Sequence, residues 1–173
     1  KEAPAIAHEK IAAEQPAMEE KAGSLAIRTD RLHGSISLRG ARFDDLTLAQ
    51  YRETIDEASP EVRLLAPTSQ NLPYFAETGF LGDNVKTPDN NSVWTADSDV
   101  LTQDKPVTLR WNNGKGLTFE KRIELDDAYL FTITSTVKNS SGNEVTLYPY
   151  GLISRAYDDD QPHVYFMHDG PIG

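Results

Sequence analysis

Residues 107–155 read VTLRWNNGKGLTFEKRIELDDAYLFTITSTVKNSSGNEVTLYPYGLISR, and their apolar positions recur every second residue. Val107, Leu109 and Trp111 point one way, and Asn113-Gly114 has the composition of a two-residue type I′ hairpin turn. The return run carries Leu117, Phe119, Ile123 and Leu125 on one face. Lys121 interrupts that face, so its ammonium is expected to reach solvent or the strand to bulge there. Asp126-Asp127 makes the next turn. Tyr129, Phe131, Ile133 and Val137 then share a face, while Thr132, Thr134 and Thr136 line a half-wet one. Asn139 to Asn143 is expected to close another hairpin before Val145 and Leu147. Pro149 cannot donate to a ladder and belongs at an edge or a bulge. The stretch therefore predicts a meander of antiparallel strands, and an all-β antiparallel sandwich.

The same reading extends backward. Leu25 and Ile27 alternate with Ala26 and Arg28, Asp30 to Gly34 supply a turn, and Ile36 and Leu38 return, which is a first hairpin. His33 falls in that turn. Gly40 marks a bend or a close backbone approach. Asp45 to Glu53 fits a strand or a short helix. Val62 to Leu65, bracketed by Pro60 and Pro67, suits an edge strand. Thr68 to Pro106 has little periodicity, and is either a functional loop or short strands joined by excursions. Lys1 to Gly23, built from Ala, Glu, Lys, Gln and Pro, predicts a flexible tether ahead of a domain over 24–173. The apolar run Val164 to Met167 lies close to Gly173, which predicts a domain incomplete at its C-terminus with one sheet edge lacking its neighbour.

Composition narrows the function. The 173 residues suffice for one domain. A net charge of −10, from 27 acidic and 17 basic residues, opposes nucleic acid and anionic lipid. Zero cysteines exclude disulfides, thiolate metal sites and cysteine nucleophiles. No apolar run is long enough to span a bilayer.

Reactive constellations are weak. Asp158-Asp159-Asp160 with His163 and His168 has the residue types of a metal site. The two imidazoles, five apart, point to opposite faces of an extended chain, and the acidic run lacks the ligand spacing of a calcium loop. A solvated loop is the expected reading. Ser154 lacks the second glycine of a nucleophile elbow, and Gly114-Lys115-Gly116 lacks the spacing of a phosphate loop. Asn90 and Asn139 head short glycosylation sequons. Trp94, Trp111, Tyr148, Tyr150 and Tyr165 have faces that stack on sugars, although core packing is the ordinary use of such rings. Arg155, His163 and Tyr165 form the one candidate polar cleft. No catalytic, cofactor or metal role is assigned to any residue.

Ordered blocks nevertheless resemble a known family. Ile27-Arg28-Thr29-Asp30, Ile36, Leu38, Gly40, and then Leu48 and Tyr51 are similar to the opening of the periplasmic domain of the YidC membrane protein insertases. Ala41 stands where that family has the second glycine of a pair. Tyr74 to Gly82, Leu117 to Lys121, Thr146 to Arg155 and His168 to Gly173 continue the resemblance, which is nearest to α-proteobacterial forms. The resemblance implies a β-supersandwich like that of galactose mutarotase, between the first two spans of a multi-pass inner-membrane protein. It implies that Lys1 to Gly23 is a periplasmic tether and that the groove handling nascent chains lies elsewhere in the polypeptide. The implied role is an accessory surface without covalent catalysis or cofactor. The implied partners are Sec translocon subunits and nascent membrane proteins, met through the full-length protein. A carbohydrate-binding or mutarotase-like protein on the same fold is the alternative.

Overall fold

The computed structural model describes residues 23–156. Among these residues eleven strands are present: β1 Ser24–Arg28, β2 Leu32–Ser37, β3 Arg42–Arg52, β4 Glu61–Leu65, β5 Tyr74–Gly82, β6 Thr95–Ala96, β7 Val100–Leu101, β8 Val107–Asn112, β9 Leu117–Leu125, β10 Phe131–Asn139 and β11 Leu147–Arg155. They form two sheets. The first runs β11-β5-β3-β2-β1-β7, with β4 also on β3, and the second runs β10-β9-β8-β6. All pairings are antiparallel except the short one of β1 with β7.

β9 shows why the sheets stack. Leu117, Phe119, Lys121, Ile123 and Leu125 are all buried, and the residues between them face outward at least in part. Strict alternation gives the strand one dry face, which another apolar layer must cover. That layer includes Leu25, Ile27 and Ile36 of β1 and β2, with Trp94 and Leu101 closing the core. Aromatic pairs join the layers. Phe43 of β3 meets Phe131 of β10 edge-on at 5.2 Å, and Phe80 of β5 meets Phe119 at 5.8 Å. Each fully buried side chain of this size contributes about 1.5–3 kcal/mol.

Several expectations are met. β1 and β2 form the first hairpin, and β8, β9 and β10 form the meander. Arg42–Arg52 is a strand, which resolves the ambiguous stretch, and among the described residues β4 pairs only with β3. Pro149 lies in β11, at the end of the first sheet. The hydrogen bonds Asp83 N to Thr146 O and Ala156 N to Pro73 O show that even-numbered residues of this segment face β5. By alternation Pro149 points away from β5, so its missing N–H breaks no bond of that ladder.

Other expectations are corrected. Asn139 to Asn143 does not close a hairpin, because β10 pairs with β9 while β11 crosses to the other sheet and pairs with β5. Asn113-Gly114 is not a two-residue turn. The loop runs to Gly116, with Gly114 and Gly116 at positive φ and Asn113 Oδ1 accepting from the N–H of Lys115 and Leu117. Tyr129 lies before β10 at φ 70°, so it is a turn residue and not part of the strand face. His33 belongs to β2, since the Thr29 hydroxyl accepts from Leu32 N–H at 2.8 Å and tightens the turn ahead of it. Thr68–Pro106 contains the nine-residue β5, hidden because Glu77, Thr78 and Gly79 break its alternation.

Candidate functional site

β3 and β5 are paired at only one position, Phe43 with Ala76. Beyond it, Gly40–Arg42 and Glu77–Gly79 part, and a polar cluster occupies the opening. Lys121 reaches it from the core side. The expectation that its ammonium meets solvent or that β9 bulges is overturned: the side chain is 3% exposed, and both ladders of β9 run without a register shift. Its Nζ donates to the carbonyl oxygen of Thr78 and sits 4.9 Å from the Trp94 ring centroid. A carbonyl dipole and a ring quadrupole thus replace part of the lost hydration.

Glu77 and Tyr150 reach the opening from the other side of the sheet. Both alternate with residues on the core side, and their partners in the ladder, Leu152 and Gly79, share their face. Arg42 Nε donates to Glu77 Oε2 at 3.3 Å, and both side chains are largely buried. The Arg42 guanidinium also lies over the Phe75 ring at 4.5 Å. Burial holds the Lys121 ammonium down to about 8, with the nearby Glu77 carboxylate pulling the other way. Burial, followed by the Glu77 charge and hydrogen bond, pushes the Tyr150 phenol up. The recess between these groups measures about 10 Å³. That volume admits a water, against the several hundred Å³ of a sugar or cofactor site. The chemistry of the cluster is that of a weld between layers.

A second cluster clips β4 across β3 to β2. Glu61 accepts from Thr47 Oγ1 at 2.6 Å and pairs with His33 Nδ1 at 3.0 Å, and Arg52 lies 3.6 Å away. The Thr47 hydrogen bond, opposed by some desolvation and joined by His33 and Arg52, holds the Glu61 carboxyl below its usual range.

Of the predicted cleft, Arg155 ends β11 with its guanidinium 5.4 Å from the Tyr74 ring centroid. His163 and Tyr165 lie outside the described residues, as do Asp158–Asp160 and His168. Among the described residues no group of three His, Cys, Asp or Glu side chains is arranged to hold a metal. No helix among them is long and apolar enough to cross a membrane. Trp94 is 2% exposed and closed to stacking on a sugar. Tyr150 lies over Gly79, while Tyr148 is exposed and hydrogen-bonds Asp83 at 3.2 Å. Arg42 and Glu77 went unrecognised in the sequence, and Tyr150, noted there as a stacking face, is instead a partner of Glu77. The signal was available: a lysine on the dry face of an alternating strand needs acceptors from the facing layer.

Two consecutive residues between β2 and β3 share an uncommon backbone conformation. Gly40 and Ala41 are both left-handed, at φ 73° and 52°. A Gly-Gly pair suits such a bend, and this chain holds Ala41 there against the steric preference of its Cβ.

Comparison with known proteins agrees with the motif blocks. The family model described as YidC periplasmic domain matches residues 24–173. Proteins named membrane protein insertase YidC are 50% identical over 151 residues in Nitrobacter hamburgensis and 46% identical over 154 residues in a Methylobacterium species. These matches cover 85% and 88% of this chain and 25% of each relative. The namesake from Granulibacter bethesdensis is 43% identical over 171 residues, covering 98% of this chain and 29% of its own. The chain thus spans about a quarter of the length of the curated relatives it matches. It belongs to the YidC periplasmic domain family, and its place is the periplasmic side of the inner membrane.

Proposed function

We propose that this chain is the periplasmic accessory domain of an inner-membrane protein insertase, and that it assists insertion and folding of membrane proteins by presenting a rigid docking surface. The observation that carries this reading is the family match over residues 24–173. The cross-linked sandwich supports it, because a scaffold welded through Lys121 and Glu77 holds a surface in place without reacting. The domain acts without covalent chemistry. Its partners are nascent membrane proteins and Sec translocon subunits, engaged in the context of the full-length protein.

The absence of cysteine makes a clean test possible. A single cysteine at Ile55, fully exposed in the β3–β4 connection, is placed in the full-length protein after removal of any cysteine elsewhere. A membrane-impermeant maleimide should label it in spheroplasts, and labelling only after lysis overturns the periplasmic placement. Photo-crosslinkers at the exposed Leu81, Leu130 and Ile153 should yield adducts with nascent membrane proteins or translocon subunits. No adduct from any of the three overturns the docking role.

A further inference from the structure

We propose that the recess beside Lys121 is an internal hydration site, in which one water accepts from the Trp94 indole N–H and links it to the polar rim. Trp94 Nε1 is buried and has no hydrogen-bond partner among the described residues. A buried indole N–H ordinarily finds an acceptor, because leaving it unpaired forfeits the hydration it had in the unfolded chain. Trp94 lines the recess together with Glu77, Asp89, Asn90, Lys121 and Tyr150. This lining offers the two to four polar partners that an internal water needs, and the volume of about 10 Å³ fits one such molecule.

The surroundings select water over an ion. Lys121 and Arg42 beside the recess disfavour a bound cation, while Glu77 and Asp89 disfavour an anion. Water both accepts from the indole and donates to the carboxylates. Lys121 leaves the indole N–H free to do this. Its Nζ lies 4.9 Å from the Trp94 ring centroid and already donates to the Thr78 carbonyl. Two glycines keep the space open. At Gly79 a Cβ would fall 2.7 Å from the Tyr150 ring, and at Gly40, with φ 73°, it would lie 3.1 Å from the Asn90 carbonyl oxygen. The water completes the weld, because Trp94 is itself held by its backbone N–H on the Leu38 carbonyl at 2.8 Å.

Two NMR measurements on the 173-residue chain test this. In the wild type, a direct cross-peak is expected between the Trp94 indole proton and water, with Trp111→Phe leaving a single indole signal for the assignment. Oxygen-17 relaxation dispersion should then lose the contribution of one long-lived water in Trp94→Phe. No cross-peak in the wild type overturns the proposal, as does an unchanged dispersion amplitude in a folded Trp94→Phe. If that variant does not fold, the wild-type cross-peak decides alone.

Discussion

The ammonium of Lys121, on β9, donates to the backbone carbonyl of Thr78, on β5, and so ties the two sheets through the core. This one contact turns an apparent flaw in a hydrophobic strand into a cross-brace. The charge it buries makes stability depend on pH. In the unfolded chain Lys121 titrates near 10.5, and in the fold it titrates at about 8. Between those values the unfolded chain binds more protons, so stability rises with pH. The stabilising contribution is full above the unfolded value and is lost as pH falls through about 8.

Urea unfolding from pH 7 to 10 should therefore show an upward slope starting near pH 8, worth at most about 3 kcal/mol over the full interval. Lys121→Met should flatten it. Tyr148 and Tyr150, whose phenols are pushed up, act in the opposite sense above pH 10. A wild-type slope that Lys121→Met leaves intact would show that another group is responsible.

Gly79 and Tyr150 are ladder partners, and the Tyr150 ring covers the glycine. Gly79→Ala would put a methyl 2.7 Å from that ring, and should cost about 1–3 kcal/mol as the ring is displaced. Much of this penalty should vanish in a Tyr150→Ala background. Additive losses in the double-mutant cycle would contradict the contact.

The consecutive left-handed residues make unequal predictions. Gly40→Ala should destabilise by about 1–2 kcal/mol from backbone strain, increased by the approach to Asn90 at 3.1 Å. Ala41→Gly relieves strain of the same order while giving up one buried methyl, worth about 0.8 kcal/mol. Its net effect should lie within about 1 kcal/mol of zero. Thermal melts of the two variants side by side check the asymmetry.

Glu61 holds β4 through Thr47, His33 and Arg52. Its lowered carboxyl contributes stability that is present above its ordinary value of 4.5 and lost as pH falls through the lowered folded value. Thr47→Val removes the largest of the lowering contacts, and should move the Glu61 titration toward 4.5 when followed by carboxyl carbon-13 shifts. An unmoved titration would assign the effect to His33 and Arg52 instead.

In the core, Phe119→Ala removes a buried ring that packs against Phe80 and Trp111, and should cost about 3–5 kcal/mol. Thr134→Ala, on the exposed side of β10, should stay within about 0.5 kcal/mol of the wild type. Denaturant midpoints of the two variants measure the difference.

Local patterning alone settled much of this protein. The period-two runs in β1, β2, β8, β9 and β10 declare strands because each strand must hide one face and wet the other. Asp30, Asp126 and Asn113 declare turns by their residue type, and the motif blocks declare the family. Three things were decided only in three dimensions. β11 leaves the meander for the other sheet because β5, its partner, lies more than 60 residues away by sequence number, and pairing over that distance leaves no local periodicity. β5 itself was obscured because Glu77 and Gly79 serve contacts with Arg42 and Tyr150 and not a simple alternation. Lys121 is buried because β3 and β5 part where its amine arrives, and a lysine's environment depends on what the facing layer offers. Hydrophobic alternation is written residue by residue, whereas the satisfaction of a buried charge depends on groups that only folding brings together.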